Sequence, residues 1–166
     1  MYLTMSIPFV TLRFDGDAVS PPNLDTKPEE ETPMALTGEF SWFCCGNAWG
    51  PCGTAGTGAC GTCHSGNRQH AWPNTSDACH AITLPENCGV SLARRTCGHQ
   101  HTTTNLCNGL RVSTTIADCG PRTRSFCGER SCCGSTCASH RVIDLTPAAF
   151  SAIADLSAGL RPCSIV

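Results

Sequence analysis

Fifteen cysteines, all of them between Cys44 and Cys163, are the residues of this chain with the most chemistry to account for. Thiols at that density persist either as disulfides in an oxidising compartment or as thiolates on metal. The spacings favour disulfides. Structural zinc sites repeat a C-x2-C pair or combine it with spaced histidines. Here Cys60 and Cys63 form the only C-x2-C, and the vicinal pairs Cys44-Cys45 and Cys132-Cys133 fit no zinc pattern. Fifteen thiols make seven bridges with one left over, and Cys163 is the candidate by its isolation.

Other residues offer rival chemistries. Cys60-Gly61-Thr62-Cys63-His64 satisfies C-x-x-C-H, the attachment pattern of c-type haem. In a chain so rich in Cys and Gly a match of this length is expected by coincidence, and the remaining thirteen cysteines would still need an oxidised explanation. No haem, metal or other cofactor is expected. His99 and His101 stand two apart, so on a strand they would face one way and could bind a metal. With no further ligand placed beside them, a solvated Thr-rich loop is the expected setting. Asp118 and Asp144 each end a strand-like segment, where an aspartate commonly accepts backbone N–H bonds and does nothing more. Trp49 and Trp72, beside Gly50 and Pro73, could stack a sugar ring or simply fill a core short of aromatics.

The elements that would position these residues belong to one loop-rich domain. The 166 residues (17.5 kDa) can bury a core, but ten aromatics, sixteen Gly and eleven Pro indicate an irregular fold in which disulfides supplement packing. A net charge of −2 with no Lys/Arg run excludes nucleic acid and anionic membrane surfaces as expected partners and suits a neutral ligand. No stretch is long enough to span a bilayer, and a monomer is expected. Residues 1–36 contain no Cys, carry Pro21-Pro22 and Glu29-Glu30-Glu31, and hold two basic against six acidic residues. They are expected to form a disordered or linker-like leader to a domain spanning 37–166. Met1 to Leu12 is apolar but lacks a basic start and is broken by Pro8, which makes a poor signal peptide.

Within the domain, Leu110, Val112, Thr114 and Ile116 alternate with polar residues after the Asn108-Gly109 turn, predicting a half-buried strand with Asp118 just past its end. Arg141 to Leu145 predicts a second strand. Thr146-Pro147 then supplies an N-cap and a first-turn proline for a helix that buries Ala149, Ile153 and Leu156 and ends at Gly159. Pro162 to Val166 predicts a last strand. Cys44 to Thr104, without periodicity, predicts disulfide-tied loops with short strands between them.

Three segments carry a family resemblance. Gly38-Glu39-Phe40-Ser41-Trp42-Phe43 resembles the G-x-A-S/T-W/Y-Y opening of the double-psi β-barrels of rare lipoprotein A and of the first domain of expansins. Ile116-Ala117-Asp118-Cys119-Gly120-Pro121 resembles their strand ending in D-x-G-P, and Arg141 to Phe150 is similar to their R-V-I-D-L-S-x-x-A-F segment. The resemblance covers Thr37 onward and implies a mainly β fold, a six-stranded double-psi β-barrel with one or two short helices and long disulfide-tied loops. Barwin-like proteins belong to the same group.

It also implies a site. Asp144 matches the general acid of the related family 45 endoglucanases, and Asp118 matches the acidic residue that expansins and rare lipoprotein A place beside it. Ser41 and Trp42 match a hydroxyl and an aromatic of the groove wall. His80, in Cys79-His80-Ala81-Ile82-Thr83-Leu84-Pro85, lies near the position of a rare lipoprotein A histidine, one residue out of step. Trp49 and Trp72 complete the candidate substrate-binding set. Cys119 stands where rare lipoprotein A has an arginine, so a disulfide is expected to brace that loop. The sequence to Val166 leaves no second β-sandwich of the expansin kind, so strong binding to crystalline cellulose is not expected.

Three functions follow from the resemblance. The first is a secreted wall protein that binds and loosens polysaccharide, peptidoglycan or a cellulose-like glycan, without net hydrolysis. The second is a lytic transglycosylase in which one Asp serves as acid and then base. The third is a disulfide-rich binding or inhibitor domain whose aspartates are structural.

Overall fold

The structure, a computed structural model, describes residues 35–46, 52, 56–75, 79, 92–121, 132–133, 136–137 and 140–166. Residues 1–34 of the expected leader lie outside the described residues, as do Trp49 and His80, whereas Leu36, placed in the leader, is the first residue of a barrel strand and pairs with Ile165. The elements in chain order are β1 (Leu36–Trp42), β2 (Gly56–Gly58), β3 (Gly61–Cys63), β4 (Gln69–Trp72), β5 (Gln100–Asn105), β6 (Arg111–Cys119), β7 (Cys132–Cys133), β8 (Thr136–Cys137), β9 (Arg141–Leu145), helix α1 (Pro147–Ser151), a 3-10 turn (Leu156–Ala158) and β10 (Arg161–Ile165). No helix among the described residues is long and apolar enough to cross a membrane.

Six of these strands close a barrel in the order β1-β10-β5-β6-β4-β9. The pairs β1–β9 and β4–β6 are parallel, and the other four are antiparallel. The order is unchanged when the first three barrel strands (β1, β4, β5) are exchanged with the last three (β6, β9, β10). Two interlocked halves of this kind leave no free sheet edge. The expected six-stranded double-psi barrel is therefore the architecture, and β2–β3 and β7–β8 are separate two-stranded ribbons.

Strand formation follows the alternation of side chains. On β6 the buried Val112, Thr114 and Ile116 alternate with the more exposed Arg111, Ser113 and Thr115, as the sequence predicts, but the strand continues through Asp118 to Cys119. On β9 and β1, Ile143, Leu145 and Phe40 turn into the core, where Phe40 meets Phe150 of α1 at a ring-centroid separation of 5.0 Å. Each such side chain contributes about 1.5–3 kcal/mol on full burial.

Two expectations are corrected. The Thr-rich stretch around His101 is barrel strand β5, and its inward residues are the polar His101, Thr103 and Asn105, all buried. Alternation is present there, but in burial and not in hydrophobicity; His101 and Asn105 find hydrogen-bond partners inside, whereas the Thr103 hydroxyl has none among the described residues. Asn105, for example, donates from Nδ2 to Ile153 O at 2.7 Å. The helix after Thr146 is also shorter than predicted: α1 stops at Ser151 and a 3-10 turn follows, capped by Asp155 and ended by Gly159 at φ +67°. Thr146 makes no side-chain cap. Its hydroxyl donates instead toward the Asn67 and Gln69 carbonyls, tying the start of α1 to the entry of β4.

Five disulfides lie among the described residues, Cys44–Cys52, Cys45–Cys63, Cys60–Cys97, Cys79–Cys119 and Cys107–Cys133. The two thiols of the C-x-x-C-H segment thus go to different partners, which removes the haem reading. Among the described residues Cys163, the candidate by its isolation, is a free thiol. It is fully buried on β10, and burial, with the nearby Glu39 carboxylate second, pushes its thiol pKa well up. It is an inert core residue.

Candidate functional site

Strand register brings the two expected aspartates into one row. β1 pairs Ser41 with Asp144, β9 pairs Asp144 with Ala71, and β4 pairs Ala71 with Asp118. With neighbouring strands about 4.8 Å apart, the backbones of Asp118 and Asp144 are separated by about 10 Å, with Ala71 between them.

The row lies on the face opposite the core because two bulges reset the alternation. In the β4–β6 pair, His70 faces Ile116 but Ala71 faces Asp118, so Ala117 is the extra residue. Without it, Asp118 would follow Val112, Thr114 and Ile116 into the interior. The inserted residue flips the phase and delivers the carboxylate to the other face. In the β1–β9 pair, Glu39 faces Arg141 and Phe40 faces Ile143, so Val142 is extra and Asp144 shares the face of Ser41. Both carboxylates are half-buried.

Each is held by its own donors. The Ser41 hydroxyl donates to Asp144 Oδ1. Ser41 is 4% exposed, so it serves as an interior support for Asp144. Asp118 Oδ1 accepts the backbone N–H groups of Ala59 and Cys119, both at 2.8 Å. Ala59 belongs to the tight turn between β2 and β3, which docks on the bulge: Cys60 N donates to Ala117 O at 3.2 Å. Only glycine allows that approach, since a Cβ on Gly58 would lie 2.3 Å from Ala117 O. Disulfides Cys45–Cys63 and Cys60–Cys97 fix the ribbon in place, and Cys79–Cys119 braces the residue after Asp118, as expected from a cysteine standing where rare lipoprotein A has an arginine.

Gly120 closes over the middle of the row. Its φ of +153° is open to glycine and strained for other residues. A Cβ there would sit 3.7 Å from Ala71 Cβ and 4.0 Å from Asp144 Oδ2. The D-x-G-P segment contains this glycine, but no reading of the sequence placed the β2–β3 turn beside Asp118. Nothing in the sequence pointed to Ala117 as a bulge.

Neither of the two described tryptophans joins the row. Trp72 is 2% exposed, stacked in the core and bonded from Nε1 to Ala93 O at 2.9 Å, so it cannot stack a sugar; that expectation is corrected. Trp42, one residue past Ser41, takes the opposite face, packs against the core and donates from Nε1 to Leu156 O at 3.1 Å.

Behind the row, on the inner side of β4, runs a chain of imidazoles. Thr114 Oγ1 lies 2.8 Å from His70 Nδ1, and His70 Nε2 lies 3.0 Å from His101 Nδ1. Trp72 stacks on His101 at 4.3 Å, and His99 meets it edge-on at 4.9 Å. Burial depresses the pKa of His70 well below the ordinary value, and burial with the neighbouring His99 and Arg95 charges brings His101 to about 4. Both rings are neutral near neutral pH.

No family model matches the chain, and no curated protein does. Among solved structures it is similar to a Streptomyces papain inhibitor, with 22% identity and a TM-score of 0.45 over 80% of this chain and 93% of the other. It is also similar to an expansin of Clavibacter michiganensis, both apo (21% identity, TM-score 0.43) and as a variant in complex with cellohexaose (19%, 0.43). In each case the match covers 80% of this chain and 50% of the expansin, so the chain spans about half the length of those structures. The closed strand order and the exchange of its two halves make the chain a double-psi β-barrel.

Proposed function

We propose that this is an exported wall protein that holds a polysaccharide chain across the half-buried Asp144 and Asp118, with the buried Ser41 supporting Asp144 and the buried Ala71 between them, and loosens it without net hydrolysis. The supporting observation is the register itself, which carries two half-buried carboxylates to one face with only small residues, Ala71 and Gly120, between them. Carboxylates at that spacing accept hydrogen bonds from the hydroxyls of neighbouring sugar units. The bonds described above use both carboxylates as acceptors, from Ser41, Ala59 and Cys119. A glycosidase acid must instead present a proton to the leaving oxygen, and a partner carboxylate must direct a water or attack. The disulfides fit the oxidising compartment that such a role requires.

A second reading has one specific observation behind it. Asp118 ties the β2–β3 turn to the bulge, which is the work of a structural aspartate in a disulfide-rich binding or inhibitor domain.

The test is retention on insoluble peptidoglycan and amorphous cellulose, with mass spectrometry of the soluble products, for the oxidised protein and its Asp118→Asn and Asp144→Asn variants. The proposal expects wild-type retention, loss in Asp144→Asn at unchanged melting temperature, and no released fragments. Anhydromuropeptides that vanish with either variant would replace it with a lytic transglycosylase. Unchanged retention in both variants would leave the structural reading.

A further inference from the structure

His99 is exposed on the strand entry, His101 is 6% exposed beneath it, and their ring centroids are 4.9 Å apart. Two imidazoles sharing one ion at about 2.0–2.1 Å from each nitrogen place their centroids about 4.5–5.2 Å apart, for angles from square to tetrahedral. The observed separation falls in that window.

The inner end of the chain suits the same task. A ligating histidine is ordinarily held by an acceptor on its other ring nitrogen, which fixes tautomer and orientation. His101 Nδ1 points to His70 Nε2 at 3.0 Å, and His70 Nδ1 to Thr114 Oγ1 at 2.8 Å. If His101 donates from Nδ1, His70 accepts at Nε2 and donates from Nδ1 to Thr114. That polarity leaves the lone pair of His101 on Nε2, away from His70. The opposite polarity puts a proton there, so an ion would select one direction of the whole chain.

We infer that His99 and His101 form a two-imidazole site for a borderline divalent transition ion, with His70 and Thr114 as its outer support. Among the described residues no group of three or more His, Cys, Asp or Glu gathers around such a point, so solvent completes the coordination. Two nitrogen ligands favour Cu2+ over Ni2+ and Zn2+. The Arg95 charge near His101 works against the ion and keeps the site a modest one. This site is independent of the glycan reading, because its ligands lie on β5 and its entry and it uses none of the residues of the row.

The experiment is calorimetric titration of the oxidised full chain with cupric, nickel and zinc chloride, together with tryptophan fluorescence. Trp72 stacks on His101, so bound Cu2+ should quench it saturably. The exposed substitution His99→Ala should weaken Cu2+ binding at least tenfold and abolish the quench while the far-UV spectrum is unchanged; His64→Ala should do neither. Absence of saturable binding in the wild type overturns the inference. So does binding that survives His99→Ala, or binding lost in His64→Ala. His101→Ala is a secondary variant, since that ring is part of the core.

Discussion

The two sides of strand β4 carry polar groups for opposite purposes. On one side Ala71 separates two half-buried carboxylates that reach toward solvent, each held by donors from a different strand or loop. On the other, His70 and Trp72 lie within the core, where neutral rings hydrogen-bond and stack with one another. The difference comes from phase. A strand gives alternate residues to each side, and one bulge residue, Ala117, decides to which side Asp118 belongs. Around β4 the two carboxylates are only half-buried, and the buried rings, His70 and His101, are groups that can stay neutral.

Disturbing the inner side should cost stability first and the outer side binding first. The largest effect is expected for Trp72→Ala, which empties a core position and should lower unfolding free energy by about 3–5 kcal/mol, read from a denaturant midpoint. If instead it left stability intact and removed glycan retention, the division between the two sides would fail. Replacing both Cys79 and Cys119 by Ser should cost about 2–4 kcal/mol. It should also loosen Asp118, seen as faster exchange of the backbone amide at position 119.

Acid should act through the inner side. His70 and His101 have folded pKa values below the ordinary 6.5, so above that pH they contribute nothing to pH dependence. As pH falls below it, the unfolded chain takes up protons that the fold refuses, and stability declines until His101 itself titrates at about 4. For His101 this amounts to about 2 kcal/mol after allowing for partial solvent screening, measured as a falling denaturant midpoint between those pH values in metal-free buffer. His101→Gln should flatten the slope. The smallest effect on stability belongs to Ser41→Ala, about 1 kcal/mol, because one hydrogen bond is removed. Its effect on glycan retention should be the larger one, since Asp144 loses its support.

Much of the outer side was legible in the sequence. The Arg141–Leu145 segment and the Ile116–Pro121 segment each showed a strand ending in an aspartate, and the resemblance implied their meeting. Three features were hidden for physical reasons. β5 carries polar residues on its inward side, so an alternation sought in hydrophobicity does not show it. The Ala117 bulge depends on pairing with β4, which no local pattern encodes. Thr146 has the residue type of a helix cap, but the carbonyls of Asn67 and Gln69 compete for its hydroxyl, and that contact exists only once the barrel is closed. Trp72 was open between groove and core, and the core took it.

The central claim, that the carboxylate row is the glycan surface, is tested most directly by following the backbone amide NMR signals of the oxidised protein during titration with cello-oligosaccharides and peptidoglycan fragments. The account predicts saturable shifts at Ser41, at Asp118 to Gly120 and at Asp144, absent in Asp144→Asn. Shifts confined to other surfaces, or none with either glycan, would contradict it.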